Sequence, residues 1–115
     1  MMNDANGFVA VARVSDLPAG QVKVVAVNGR RYALCNAEGQ FYAVDDTCSH
    51  DDGPLDEGTL EGHAIVCPRH GARFDVRTGE VLQMPAVFPI QAYETKVVDG
   101  QIMIKAATDA HSRTR

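Results

Sequence analysis

Hydrophobic and polar residues alternate in short runs along this chain, and turn-forming residues separate the runs at intervals of about 8 to 12 residues. Such alternation is typical of β-strands, because successive side chains of a strand point to opposite faces of a sheet. No segment keeps a helical period over more than two turns. The predicted strands are residues 8–14, 21–27, 30–35, 41–44, 64–66, 73–76, 90–98 and 101–105. The pattern therefore indicates an all-β protein, either a sandwich or a small barrel.

Two β-hairpins are predicted by their turn residues. Asn28-Gly29 separates the second and third predicted strands, and Asp99-Gly100 separates the last two. Both central residues of a type I′ turn need a positive φ, which Asn, Asp and Gly tolerate best. The strands flanking each pair are therefore expected to run antiparallel.

Length and charge restrict the classes of function. With 115 residues, the chain has room for a single domain with a modest core. A formal charge of -4 does not favour a nucleic-acid surface, which needs clustered Lys and Arg. No apolar run reaches the length of a membrane span, and residues 1–7 lack the layout of a signal peptide. We therefore expect a soluble cytoplasmic protein that binds neither nucleic acid nor membranes.

Acidic residues are concentrated between Asp45 and Glu61, where the sequence contains seven Asp and Glu and no Lys or Arg. Part of this composition is ordinary turn chemistry, as in Asp-Asp-Gly-Pro. The stretch can be a solvated acidic surface, or it can attract a partner with a basic docking patch. The sequence leaves both interpretations open.

The strongest chemical signal is a pair of short segments that each contain one cysteine and one histidine, Cys48-Ser49-His50 and Cys67-Pro68-Arg69-His70. Simple zinc sites usually group like ligands with like, because any four N/S donors at tetrahedral corners satisfy one ion. A [2Fe-2S] cluster in which two cysteines hold one iron and two histidines hold the other needs mixed loops if each loop is to reach both irons. The segments therefore favour such a cluster, with a structural zinc site as the alternative.

The arrangement C-x-H, sixteen residues, then C-x2-H followed by Gly71, resembles the Rieske family. The resemblance extends from about Phe8 to Lys105, and outside the two ligand segments it rests on the strand pattern. It implies that Cys48 and Cys67 bind the buried iron. It also implies that His50 and His70 bind the iron nearer to solvent, so that all four residues are metal and cofactor ligands.

The resemblance also refines the predicted architecture. It implies an antiparallel β-sandwich with a small inserted cluster-binding lobe at about residues 45–87, within a single domain over residues 1–115. Pro85 is expected in a loop that covers the cluster, although a rigid connector is an equally simple interpretation. Residues from about 107 to 115 show no periodicity and are expected to be flexible.

A cluster with four protein ligands has no open position for a substrate, so the expected function is one-electron transfer without catalysis. The resemblance implies a carrier between a flavin-containing ferredoxin reductase and a terminal oxygenase, in an aromatic-ring-hydroxylating dioxygenase system. Only two histidines, His63 and His111, remain outside the ligand segments, so the chain cannot also build the mononuclear iron site of such an oxygenase. The alternatives are a small subunit of a nitrite reductase, a ferredoxin for another iron enzyme, or a zinc-stabilised binding module.

A low reduction potential is also expected from the resemblance. High-potential Rieske proteins carry an extra disulfide between the ligand loops, and this chain has Gly53 and Arg69 at those places. They also carry a serine and a tyrosine hydroxyl that donate hydrogen bonds to cluster sulfurs, where this chain has Ala72 and Phe74. Without these features the potential should lie near the bottom of the Rieske range, at about -150 mV.

The third cysteine, Cys35, lies in a predicted strand and has no partner for a disulfide framework. A lone cysteine in a strand usually behaves as a small buried apolar side chain. We therefore expect Cys35 to be buried and not to bind metal.

Overall fold

The structure is a computed structural model that describes residues 7–46, 58–67, 71–84 and 89–106. All strand pairings in these residues are antiparallel, which confirms the predicted fold class. A 3-10 turn lies at Val14–Asp16. The strands are β1 (Phe8–Arg13), β2 (Val22–Val27), β3 (Arg30–Ala37), β4 (Gln40–Asp45), β5 (Thr59–Glu61), β6 (Ala64–Val66), β7 (Arg73–Asp75), β8 (Val81–Gln83), β9 (Ala92–Tyr93), β10 (Thr95–Val98) and β11 (Gln101–Lys105).

The strands form three sheets. The outer sheet has the order β1-β11-β10, the central sheet has the order β2-β3-β4-β9, and the lobe sheet has the order β5-β6-β7-β8. One group of buried residues joins the outer and central sheets, and a second group joins the central and lobe sheets. The central sheet is therefore covered on both faces.

Strand β3 shows how the sequence produces this layering. Its residues from Tyr32 to Ala37 are all buried. Tyr32 and Leu34 belong to the core shared with the outer sheet, whereas Ala33 and Cys35 belong to the core shared with the lobe sheet. Because side chains alternate between the two faces, a run of apolar residues in one strand supplies both cores.

Both predicted hairpins are present. Asn28 and Gly29 have φ of 54° and 81°, and Asp99 and Gly100 have φ of 52° and 78°. The turns connect β2 to β3 and β10 to β11, with the pairings Val27↔Arg30 and Val98↔Gln101. These turn residues therefore fix the register of two of the sheets, as the sequence predicts.

Three features differ from the prediction. The single strand expected over residues 90–98 is split at Glu94 into β9, which pairs with β4, and β10, which pairs with β11. The three-residue strands β5 and β8 were not predicted; unlike the wholly apolar Ala64–Val66, each contains polar residues. The division of residues 90–98 has a physical cause. β9 belongs to the central sheet and β10 to the outer sheet, so the chain must cross from one sheet to the other between them.

Some sequence-based expectations fall on residues that the structure does not describe. Among them are Pro85, the segment 107–115, and Gly53 and Arg69, the positions used for the expected absence of a disulfide. In the described ranges, no helix has both the length and the apolar character needed to cross a membrane.

Candidate metal centre

The second ligand segment lies in the loop that connects β6 to β7 in the lobe sheet. Cys67 follows β6 directly, and its backbone N–H donates a hydrogen bond to the carbonyl oxygen of Ala72 at 2.7 Å. The N–H of Gly71 donates to the carbonyl oxygen of Cys67 at 3.1 Å. Gly71 has a φ of 79°, which a residue with a Cβ adopts only with strain. These bonds close the loop at its base, so that the backbone of Cys67 is held in place.

The surroundings of Cys67 are apolar. The residue is buried, and it belongs to the core group that contains Ile65, Ala72 and Phe74. Ala72 and Phe74 are themselves fully buried and offer no hydroxyl group to a nearby sulfur. The environment therefore excludes water from this side of the loop without adding hydrogen-bond donors from these two side chains.

The first ligand segment is preceded by a buried carboxylate at the end of the central sheet, which is paired with an exposed arginine. Asp46 is the last described residue before segment 47–57, and its side chain is only 1% exposed. The carboxylate oxygen Oδ2 accepts a hydrogen bond from Nη2 of Arg31 at 3.0 Å. A buried carboxylate is stable only when it is paired and hydrogen-bonded. Asp46 therefore ties the start of segment 47–57 to β3.

Asp45 makes a second attachment at the same place. Its Oδ1 accepts hydrogen bonds from Nη2 of Arg30 at 3.1 Å and from the hydroxyl of Tyr93 at 2.7 Å. Its Oδ2 accepts from the N–H of Gln91 at 3.2 Å. Burial, followed by the bond to Asp45, raises the pKa of the Tyr93 hydroxyl, so this hydroxyl stays protonated and keeps donating. The network joins the end of β4 to the chain that enters β9.

A tight turn after β7 is organised by Asp75. Its carboxylate accepts hydrogen bonds from Nε and Nη2 of Arg77 at 3.0 and 2.9 Å. These bonds to Arg77 lower the pKa of the carboxyl group. The carbonyl oxygen of Asp75 also accepts from the N–H of Gly79 at 2.6 Å. The turn therefore presents the backbone of Gly79 in a fixed orientation.

Among the described glycines, Gly79 makes the closest approach to another part of the backbone. Its carbonyl oxygen accepts a hydrogen bond from the N–H of Ile90 at 2.9 Å. A Cβ atom on Gly79 would lie 1.8 Å from the carbonyl oxygen of Ile90, and the φ of Gly79 is 85°. No side chain fits in this space. Only glycine at position 79 therefore allows the hydrogen bond between the turn after β7 and Ile90.

Cys35 is buried in β3, as the sequence predicts. Its Sγ lies 3.8 Å from the carbonyl oxygen of Ala33, within the range of a weak S–H hydrogen bond. Burial, and secondarily the charge of Asp46, raises the pKa of the thiol to about 12. Because metal binds the thiolate form, Cys35 is poorly suited to be a ligand.

Of the four predicted ligands, the structure describes Cys67 alone. Cys48, His50 and His70 lie outside the described residues, as do the acidic residues Asp51, Asp52, Asp56 and Glu57. Within the described residues, no group of three or more His, Cys, Asp and Glu side chains could hold a metal ion. The described part of the second loop nevertheless fits a sulfur ligand of an iron-sulfur cluster, since Cys67 stands at a rigid, apolar loop base.

Sequence reasoning missed the residues that hold the lobe to the central sheet. The hydrogen bond between Gly79 and Ile90 joins two separate segments of the chain, and no local sequence pattern indicates it. The ion pair of Arg31 with Asp46, which joins β3 to the residue after β4 within the central sheet, was missed as well. The available signal was only the presence of a glycine after Asp75-Val76-Arg77-Thr78, which does not reveal what lies against it.

Comparison with known proteins extends these observations to most of the chain. The sequence model of the Rieske [2Fe-2S] domain matches residues 7–94. The ferredoxin component of the naphthalene 1,2-dioxygenase/salicylate 5-hydroxylase systems of Ralstonia sp is 40% identical over 98 residues, which are 85% of this chain and 94% of that relative. A 3-phenylpropionate/cinnamic acid dioxygenase ferredoxin subunit from Photorhabdus laumondii is 41% identical over 86% of this chain and 94% of its own.

A solved structure agrees with these relatives. The complex of reduced oxygenase and oxidized ferredoxin in carbazole 1,9a-dioxygenase contains a chain with a TM-score of 0.81 and 35% identity. The alignment covers 86% of this chain and 93% of that chain. The similarity therefore extends over nearly the full length of a small electron-transfer protein.

Proposed function

Since the chain belongs to the Rieske [2Fe-2S] domain family, we propose that it is the ferredoxin component of a ring-hydroxylating dioxygenase system, carrying single electrons to a terminal oxygenase. The observation that supports this most strongly is the 40% identity to the Ralstonia ferredoxin component over 94% of that protein. We further propose that a flavin-containing reductase supplies the electrons and that transfer takes place in the cytoplasm. The names of the relatives favour this assignment over a nitrite reductase subunit.

The proposed ligands are Cys48 and Cys67 for one iron and His50 and His70 for the other, in a lobe of about residues 45–87. The cluster supplies the redox chemistry, because neutral imidazoles in place of two thiolates make the accepted electron less costly than in an all-cysteine cluster. The protein has to hold the ligands rigidly and limit the access of water. Cys67 is fixed by the bonded loop base, and the buried side chains of Ala72 and Phe74 exclude water on its inner side.

The assignment is tested by the metal content and the electron transfer of the purified protein. We expect a brown protein with two iron and two acid-labile sulfide per chain, in line with a single cluster of this type. The reduced protein should show an electron paramagnetic resonance signal with an average g below that of all-cysteine clusters. It should also be reoxidised rapidly by a terminal oxygenase. A colourless protein that contains zinc and no sulfide would overturn the assignment.

A first prediction concerns the reduction potential. The double substitution of Ala72→Ser with Phe74→Tyr should raise the potential, because each new hydroxyl can donate a hydrogen bond that stabilises the reduced, more negative cluster. A net hydrogen bond contributes about 1 kcal/mol, which corresponds to roughly 40 to 60 mV for one electron at each position. Protein-film voltammetry at neutral pH measures the shift from a wild-type value of about -150 mV.

The control for this prediction is Val76→Thr. Val76 is equally buried and belongs to the same core group, but it lies beyond the end of β7 that is farther from Cys67. The added hydroxyl should leave the potential nearly unchanged. A wild-type potential above about +100 mV, within the upper half of the Rieske range, contradicts the prediction, as does a double variant without an upward shift.

A further inference from the structure

Two large apolar side chains at the end of the lobe sheet are strongly exposed. Leu82 is 52% exposed and Met84 is 74% exposed. Among the described residues, the other exposed large apolar side chains are Val14, Val97 and Val98, which lie around the turn between β10 and β11. The pair Leu82 and Met84 is called the β8 patch below. Exposed apolar groups are individually common, so the location of the patch decides whether it has a role.

The β8 patch lies on a sheet edge that is shaped by a bulge. In the described part of the chain, β8 is the last strand of the lobe sheet. Its register shifts between the pairs Arg73↔Gln83 and Phe74↔Val81, so Leu82 has no residue opposite it on β7. A bulge of this kind re-aims a side chain, and such bulges are frequent next to functional sites. The backbone irregularity therefore accounts for the outward position of Leu82.

The patch is continuous with the second ligand loop. Gln83, which separates Leu82 from Met84, donates a hydrogen bond from Nε2 to the carbonyl oxygen of Gly71 at 3.3 Å. Gly71 is the neighbour of the proposed ligand His70 in the sequence. A partner that covers the β8 patch therefore also comes close to the loop through which the proposed cluster is reached.

The cation on the strand next to the patch is paired. Nη1 of Arg73 on β7 lies 2.5 Å from Oε1 of Glu61 on β5 in an ion pair. The patch thus exposes apolar surface, and the pair of Arg73 and Glu61 adds no net charge near it. The contribution of the two apolar side chains to binding should be insensitive to salt, because screening acts on charges.

We propose that the β8 patch is the apolar docking contact for the terminal oxygenase, an inference that rests on the proposed function. A patch of two side chains is far too small for a stable dimer, which needs an interface above about 1,000 Å². It suits a short-lived electron-transfer complex, whose interface lies at the low end of sizes. Met84 adds an adaptable, unbranched side chain of the kind that is common at surfaces with changing partners. The oxygenase is the partner with which a similar ferredoxin chain has been solved in complex.

The double substitution of Leu82→Ser with Met84→Ser tests the proposal in ferredoxin-dependent turnover of the terminal oxygenase from the Ralstonia naphthalene system. The KM for ferredoxin should rise about tenfold, as expected when a buried apolar contact is lost, while kcat stays unchanged. The rise should be the same at low and at high salt. The cluster spectrum and the reduction potential should not change, since both side chains are exposed.

The matched control is the double substitution of Val97→Ser with Val98→Ser, which removes apolar side chains that are 48% and 36% exposed. This control should leave the KM unchanged. An unchanged KM in the β8 variant overturns the proposal. If the β8 substitutions slow the reduction of the ferredoxin by its reductase to the same extent, the assignment of the patch to the oxygenase is wrong. If the wild-type protein self-associates and the β8 substitutions abolish this, the patch binds a second copy of the chain instead. If the wild-type protein transfers no electrons to the oxygenase, the proposed function itself fails.

Discussion

Replacing Cys67 with alanine will give a protein that retains neither iron nor sulfide. The cluster is proposed to connect the two ligand segments, so the free energy of metal binding is also free energy of folding for the lobe. The effect should extend beyond the metal, because Cys67 stands at the closed base of the loop between β6 and β7 and packs in the core shared with the central sheet. Iron and sulfide analysis measures the loss. Hydrogen exchange of β5 to β8 should show reduced protection in the same variant.

The control for this substitution is Cys35→Ala. Cys35 is buried in the same core group, but its protonated thiol is not a proposed ligand. Its replacement leaves a small cavity and should lower stability while full cluster content is retained. A Cys67→Ala protein with a full-occupancy Rieske spectrum would falsify the ligand assignment. Loss of the cluster from the Cys35 variant under conditions where it stays folded would contradict the role given to Cys35.

Gly79→Ala should cause the largest loss of stability among the glycine substitutions considered for this chain. The new Cβ would lie 1.8 Å from the carbonyl oxygen of Ile90, so the backbone must move and the hydrogen bond between Ile90 and Gly79 is lost. Left-handed backbone strain adds about 1–2 kcal/mol, and the lost hydrogen bond about 1 kcal/mol. The total loss of unfolding free energy should be at least about 2–3 kcal/mol, and each kcal/mol lowers the Tm by roughly 4–8 °C.

A second glycine separates the two causes. Gly39 has a φ of 91°, similar to that of Gly79, but a Cβ there would meet no atom within 4 Å. Gly39→Ala should therefore show the backbone strain alone, at about 1–2 kcal/mol. Thermal unfolding of the cluster-loaded proteins compares the variants directly. Equal losses of Tm at the two positions would show that the approach of Ile90 does not matter.

The sequence predicts the parts of this fold that depend on local interactions. The hairpins at Asn28-Gly29 and Asp99-Gly100 are local, because positive φ is a property of the turn residues themselves. The ligand segments are also local in the sequence, and their spacing indicates the family before any fold is known. The burial of Cys35 follows from its place in an apolar strand.

The parts that were missed depend on contacts between distant residues. Asp45 binds Gln91, which is 46 positions away, and no nearby pattern indicates this pair. The division of residues 90–98 into β9 and β10 is decided by which sheets have free edges, and an alternating sequence suits either sheet. The short strands β5 and β8 are stabilised by their neighbours in the lobe sheet, so their own composition gives little signal.

The burial of Cys35 also bears on how iron is delivered to the chain. An unfolded chain would offer three cysteine thiols to iron, and any set of iron ligands that includes Cys35 would be incorrect. Once β3 is paired between β2 and β4, the thiol of Cys35 is enclosed, and its pKa of about 12 keeps it protonated. In the folded central sheet, Cys35 therefore does not compete with Cys67 for iron.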